Sequence, residues 1–224
     1  MAPMSLQARW RTRAYVRGKR YPVRFAVRHP ARVVVDVLRR KDSKMAHRWL
    51  DGLKGVEIGG ASFTNFNLDT LNVDRDPTGF YRRGQDELVG WHIPIDIFAS
   101  GDALPLEDDA VDFVLASHVI EHMPNPIGAL REWRRVARSY VFLLVPHRDR
   151  TFDRDRELTP IEELLERDRS GFASDEDKHW SVWNADTFLA MCERAGMPVL
   201  EHRDPDDMRG DGFAVVIDAR TTVS

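Results

Sequence analysis

Gly101-Asp102-Ala103-Leu104-Pro105-Leu106-Glu107-Asp108-Asp109-Ala110-Val111-Asp112-Phe113-Val114-Leu115-Ala116-Ser117-His118-Val119-Ile120-Glu121-His122 is the stretch from which the rest of the chain is best read. Its first half is turn material, with a glycine, a proline and several acids, and its second half is an apolar run from Val111 to Ser117 that stops at His118. A short apolar run bounded by turn residues reads as a buried strand. Immediately downstream, Asn125 can cap a helix, Pro126 suits its first turn, and Ala129, Leu130, Trp133, Val136 and Ala137 form one apolar stripe. A second apolar run at 140–145 follows, and strands are read upstream near 55–59, 70–74 and 95–98. Strands alternating with helical patterns predict a parallel sheet with crossover helices. Further on, Asn184 caps a helix carrying Phe188, Leu189, Cys192 and Ala195, Gly196 ends it, and 198–202 and 212–219 read as a strand pair.

With 224 residues and 42% hydrophobic content, the chain can bury one substantial core, so one main domain is expected, at 51–224. No run approaches the roughly 18 apolar residues of a membrane span, and the arginine-rich N-terminus lacks the apolar segment of a secretory signal. A cytoplasmic location without membrane contact is the expectation. Cys192 is the single cysteine, which excludes an intramolecular disulfide and argues against a cysteine-based zinc site. In its helical setting it reads as a small buried hydrophobe.

The net charge of −3 hides an asymmetry: residues 1–48 hold 14 Lys and Arg against 2 Asp and Glu, a formal +12, leaving −15 for the rest. Such an arm either neutralises the protein's own acidic body or meets a polyanion such as nucleic acid. Residues 1–29 show no sustained periodicity beyond a short strand pattern at 23–27. From 31 to 50, Val34, Val37, Leu38, Met45 and Trp49 recur at helical spacing. Residues 1–50 therefore read as a basic extension whose helices pack on the main domain.

Two upstream segments carry candidate chemistry. Val56-Glu57-Ile58-Gly59-Gly60 is a strand ending in an acid and then glycines, which let backbone approach a ligand at the carboxyl edge of a parallel sheet. The dinucleotide G-x-G-x-x-G fingerprint is absent. Leu71-Asn72-Val73-Asp74 places an acid at the tip of the next strand, where a carboxylate can accept hydrogen bonds from both hydroxyls of a ribose; a turn aspartate before Arg75-Asp76-Pro77 is the other reading.

The stretch from Gly101 to His122 resembles the class I S-adenosylmethionine-dependent methyltransferases, whose middle section reads D-x-L-P-F-x-D-x-x-F-D-x-V-x-x-x-x-V-x-x-H. With the glycine segment and Asp74, the resemblance covers about 53–146. It implies a Rossmann-like α/β fold of three layers, with a mainly parallel seven-stranded sheet whose last strand is antiparallel, and S-adenosyl-L-methionine as cofactor. By that resemblance the cofactor residues are Glu57, Gly59, Gly60, Asp74, Asp102, Ala103 and Ser117. One departure stands out: only 11 residues separate Gly59 from Leu71, too few for the usual full helix plus loop, so 61–69 is expected to make a short helix or loop.

A narrower resemblance, on Val145-Pro146-His147-Arg148-Asp149-Arg150-Thr151-Phe152-Asp153-Arg154-Asp155-Arg156-Glu157-Leu158-Thr159 and on Asp177-Lys178-His179-Trp180-Ser181-Val182-Trp183, is to methyltransferases of glycan biosynthesis, including actinobacterial sugar and polysaccharide O-methyltransferases. It implies a sugar or oligosaccharide hydroxyl as acceptor, such as that of a methylated mannoside, with 147–183 as an acceptor-side insertion. A sugar hydroxyl is a weak nucleophile, so a general base is useful, and histidine titrates in the right range. His147, directly after the fifth strand, is the favoured base, and His118 at the end of the fourth is the second candidate. Asp149, Arg150, His179 and Trp180 are expected to bind the acceptor; a solvated charged loop, and a core or staple role for the tryptophans, are the plain alternatives. His179 also reads as a residue that holds a metal or supports one that does. No carboxylate cluster demands a metal, so none is assigned, and Mg²⁺ held by Asp and water is the ion the site would use if it used one.

Three other readings stay open. The basic arm would suit a nucleic-acid-binding module or an RNA methyltransferase, although Ser-His-Val-Ile-Glu-His after the fourth strand is not the Asn/Asp-Pro-Pro-aromatic clamp of many amino-group methyltransferases. His118-Val119-Ile120-Glu121-His122 fits H-x-x-E-H, a zinc-protease pattern with Glu162 or Glu163 as a third ligand, but that motif needs a long helix, and here a strand runs into it with Pro124 and Pro126 close behind. The exposed arm would also serve a homodimer contact.

Overall fold

The computed structural model describes residues 14–16, 19–21, 43–60, 66–75 and 95–220. Nine strands and four α-helices are assigned within them. A two-stranded antiparallel hairpin, β1 (Ala14–Val16) and β2 (Lys19–Tyr21), lies in the arm that the sequence left irregular. The strand pattern at 23–27 and the helical positions Val34, Val37 and Leu38 lie outside the described residues, as does the 61–65 part of the expected short helix. Of the helix read at 31–50, α1 (Lys44–Leu50) is described, with the Ser43 side chain capping it by accepting from the Ala46 N–H.

The main sheet has seven strands: β3 (Lys54–Ile58), β4 (Asp69–Asp74), β5 (Ile97–Phe98), β6 (Val111–Ser117), β7 (Ala137–Pro146), β8 (Val199–Arg203) and β9 (Gly212–Asp218). Their spatial order is β5-β4-β3-β6-β7-β9-β8, parallel throughout except for β9, which runs antiparallel to both neighbours. The expected topology is therefore present, including the antiparallel last strand. The direction of winding reverses at β3, whose two neighbours are β4 and β6. In open α/β sheets that reversal opens a crevice at the carboxyl ends of the strands.

Strand alternation explains the three layers. On β6, Val114 and Ala116 join one apolar cluster while Phe113 and Leu115 join the other, and β7 splits the same way, with Val141, Leu143 and Val145 against Phe142 and Leu144. The first cluster is covered by α2 (Pro126–Val136) through Leu130 and Trp133 and by α4 (Ala185–Arg194) through Phe188, Met191 and Cys192; the second is covered by α1 through Met45, Ala46 and Leu50. Both predicted caps form: Asn125 accepts from Gly128 N–H, and Asn184 makes a reciprocal capping box with Thr187. Cys192 is buried, and burial pushes its thiol up to about 12, so it is a packing residue.

Between β7 and α4, residues 147–183 hold two 3₁₀ turns, Arg148–Arg150 and Phe152–Asp155, and α3 (Ile161–Ser170), ended by Gly171 in the left-handed region. A parallel bridge from His147 to Trp183 ties this segment back to the end of β7. No helix among the described residues is long and apolar enough to cross a membrane.

Candidate active site

A cavity of about 390 Å³ opens at the carboxyl ends of β3, β6 and β7. One wall is the end of β3 and its turn, Glu57 to Gly60. Gly59 has φ +68, and a Cβ built on it would stand 2.7 Å from Val119 Cγ2, so the turn admits no side chain at that point. The rest of the lining comes from Ser117 at the end of β6, from His118, Glu121 and His122 after it and from Arg150, Thr151 and Phe152 after β7, with His179 from the 147–183 segment and Met208, Arg209 and Asp211 from the β8–β9 loop. Its size falls in the usual range of small-molecule sites.

Of the residues expected at a cofactor, Glu57, Gly59, Gly60 and Ser117 line the cavity, while Asp74, Asp102 and Ala103 stand at neighbouring strand ends outside its lining. Asp74 closes β4 beside Phe98, and its carbonyl accepts from Ala99 N–H at 3.2 Å. The turn carrying Asp102 and Ala103 is fixed from beneath by Trp133, whose Nε1 donates to the Gly101 carbonyl at 2.7 Å, and by the Asp102 carboxylate, which accepts from the Ser100 hydroxyl.

The two candidate bases separate. His147 is not among the cavity residues: its Nδ1 accepts from Asp149 N–H at 3.1 Å, Nε2 lies 4.0 Å from Asp204, and the ring packs edge-on to Phe213. It is the N-cap of a 3₁₀ turn. His118 does line the cavity, in the left-handed region at φ +54, an unusual conformation for a non-glycine residue and one that concentrates at functional sites. Its Nε2 lies 3.4 Å from Asp211 Oδ1 and its Nδ1 3.9 Å from Glu121 Oε1. Burial lowers the His118 pKa, opposed in part by the negative charge of Asp211.

The acceptor candidates divide similarly. Arg150 and His179 line the cavity; Asp149 and Trp180 do not. Asp149 is engaged by Arg148 at 2.8 Å, and the Trp180 ring is covered by Lys178 at 3.7 Å and by the edge of Phe172. Trp183 is buried against Phe188. The aromatic ring free at the cavity is instead Phe152, 77% exposed and 4.6 Å from the His179 ring. A protease-type zinc helix is absent: only Ile120–His122 is helical, as a 3₁₀ turn, so His118 and His122 share no helical face. Glu162 and Glu163 lie on α3 among arginine partners.

Sequence reasoning missed Asp211, Asp153 and the burial of Glu121. Glu121 is 1% exposed, no other residue donates a hydrogen bond to its carboxyl group, and burial, opposed by its own backbone N–H and reinforced by the charges of Asp153 and Asp211, raises its pKa to about 8. Only the H-x-x-E-H pattern pointed near it; Asp211 and Asp153 carry no local signal, because the histidines they face are distant in sequence.

The comparisons with known proteins fit this geometry. The methyltransferase domain model matches residues 63–145. An uncharacterized methyltransferase of Mycolicibacterium paratuberculosis is 36% identical over 89 residues, which make up 37% of this chain and 34% of that protein. The chain thus spans about a third of the length of this curated relative. Among solved structures, a possible histamine N-methyltransferase from Thermotoga maritima superposes with a TM-score of 0.51 over 88% of this chain and 97% of its own, at 16% identity. The chain has the methyltransferase fold. A SAM-dependent methyltransferase from Methanosarcina mazei, with a TM-score of 0.51, 14% identity and 78% and 96% of the two chains covered, shares the same methyltransferase fold. In this fold the cavity sits where the winding of the sheet reverses, beside the Gly59 turn.

Proposed function

We propose that the chain is an S-adenosylmethionine-dependent methyltransferase, and within that class an O-methyltransferase acting on a hydroxyl of a sugar or oligosaccharide. The observation that carries this reading is the pairing of a side-chain-free turn at Gly59 with a His118–Asp211 pair across one cavity.

The residues present suit the cofactor. Gly59 and Gly60 give close backbone approach, Glu57 and Ser117 stand beside them, and Asp74, Asp102 and Ala103 stand at the adjoining strand ends. The bound cofactor supplies a methyl group on a sulfonium centre. The protein's work is then alignment, exclusion of water and removal of one proton. His118 takes the role of base in place of His147, with Asp211 Oδ1 3.4 Å from its Nε2; burial favours the neutral imidazole that can accept a proton at neutral pH. Arg150 and Arg209 offer donors to the hydroxyls of a polar acceptor, and the exposed Phe152 ring offers an apolar face to a pyranose.

The test is calorimetric titration of the full chain with S-adenosylhomocysteine, for wild type and Asp74→Ala, followed by methyl transfer from labelled cofactor to mannose oligosaccharides, with RNA as the comparison acceptor. Loss of about 1–3 kcal/mol of binding in Asp74→Ala and label on the oligosaccharide support the reading. Absence of binding by folded wild-type protein sinks it, and label on RNA alone replaces the acceptor.

A further inference from the structure

Three donors from two separate segments meet on the cavity wall. Glu121 and His122 belong to the 3₁₀ turn after β6; His179 arrives from the insertion, anchored because Trp180 and Ser181 N–H both donate to the Glu121 carbonyl, at 2.7 and 3.3 Å. One ligand-type atom from each of Glu121, His122 and His179 lies within 4.8 Å of the others, and they are the one such group among the described residues.

The surroundings orient both imidazoles. His122 Nδ1 pairs with Asp177 at 2.8 Å and His179 Nδ1 with Asp153 at 2.5 Å; Asp153 is itself buried and held by Arg156 at 2.7 Å. A carboxylate on Nδ1 fixes the tautomer that leaves Nε2 with its lone pair, the arrangement that supports metal-ligating histidines. His179 Nε2 faces Glu121 Oε1 at 4.0 Å. Glu121 adds an independent observation: a carboxyl group 1% exposed, with no hydrogen bond from any other residue, directed at this group. Buried polar atoms without partners are rare and call for an unseen one.

We propose that Glu121, His122 and His179 bind a divalent transition-metal ion of the zinc class, with its open coordination positions toward the cavity. Two imidazoles and one carboxylate form a donor set of catalytic zinc sites, with three protein ligands and a vacancy. Imidazole-rich sites favour zinc and its neighbours, whereas Mg²⁺ requires an oxygen shell, so this group does not suit the Mg²⁺ considered from sequence. Ligand distances of about 2.0–2.2 Å put tetrahedral donors about 3.4 Å apart, so the donors must draw together by about 1 Å. His118, with Nδ1 3.9 Å from Glu121 Oε1, stands next to the open side. Binding stands on this geometry alone. Its consequence for chemistry rests on the methyltransferase reading: an ion there would hold an acceptor hydroxyl and make its proton easier to remove.

The test uses the full chain, stripped with chelator and titrated with Zn²⁺ against a chromophoric competitor, with Mg²⁺ in parallel and Co²⁺ read by visible absorption. About one Zn²⁺ per chain, no competition by millimolar Mg²⁺, and at least about 10-fold weaker binding in Glu121→Gln and in Asp153→Asn, which retains all three ligands, support the site. Zinc raising the Tm of wild type but not of Glu121→Gln adds to it. Equal binding in wild type and Glu121→Gln, as surface histidines would give, overturns it. Should Glu121→Gln fail to fold, the cobalt spectrum of wild type decides: intense bands of low coordination support the site, and the weak spectrum of the hydrated ion overturns it. S-adenosylhomocysteine titration of the same stripped protein keeps this outcome separate from the fate of the methyltransferase reading.

Discussion

His118 Nε2 stands 3.4 Å from Asp211 Oδ1, joining the end of β6 to the loop before β9 across the intervening strand β7. The pair sets an imidazole and a carboxylate on the cavity wall, whereas the neighbouring His147 is spent on capping a turn.

Replacing His118 is therefore expected to act on turnover. His118→Asn is the appropriate variant, because asparagine tolerates the left-handed backbone that residue 118 adopts. We expect kcat to fall by about 10²–10⁴-fold with KM for the acceptor little changed. His147→Ala is expected to lower stability by about 1 kcal/mol, from the lost turn hydrogen bond, and to leave kcat near wild type. Steady-state kinetics beside urea unfolding checks both, and the reverse pattern would restore His147 as the base.

Phe152→Ala removes a ring that is 77% exposed, so the fold has little to lose. A ring that supports the acceptor should cost about 0.5–1.5 kcal/mol of binding, read as a rise in acceptor KM at constant cofactor affinity. An unchanged KM would assign Phe152 to the surface.

At the turn after β3, Gly59→Ala meets two obstacles, the positive φ and a Cβ 2.7 Å from Val119 Cγ2. The backbone share is about 1–2 kcal/mol. Val119→Ala should relieve the contact but not the dihedral, so the double variant is expected to recover part of the lost stability and none of the backbone share. Full recovery would show that sterics alone require the glycine. Chemical denaturation of the three variants measures this.

Stability should also report on Asp206. Burial would raise its pKa, but N–H donors from Met208, Arg209, Gly210 and Gly212, at 2.7–3.0 Å, outweigh that and hold it below the ordinary carboxylate range. A group with a depressed folded pKa contributes its full stabilisation above its unfolded value, about 3.9, and loses it as pH falls through the lower folded value. Asp206→Asn is expected to cost about 1–3 kcal/mol at pH 7, with the gap from wild type narrowing below about pH 4. A gap independent of pH would rule out the charge as its source.

Much of the fold was legible because it is written in local periodicity: the apolar run Val111–Ser117, the Asn125 and Asn184 caps and the strand pair near the C-terminus all lie where the pattern places them. The hairpin at Ala14–Val16 and Lys19–Tyr21 was not, since three-residue strands among arginines carry no hydrophobic period. At the site, the glycine turn and His118 were readable from their places at strand ends. His147, directly after a strand, does reach that edge of the sheet, but it caps a turn there and stands outside the cavity lining. Asp153, Asp211 and the exposed Phe152 act through neighbours brought by the fold, which no window of sequence contains.

The reversed direction of β9 has a consequence for how the site comes into being. In chain order β3, β6 and β7, with the Gly59 turn and His118, all precede β9. Asp211 takes its place only when β9 inserts beside β7, a pairing between segments far apart in sequence. Without that pairing the chain holds the glycine turn and an imidazole without its carboxylate. Pairing of β9 with β7 thus completes the His118–Asp211 pair on the cavity wall.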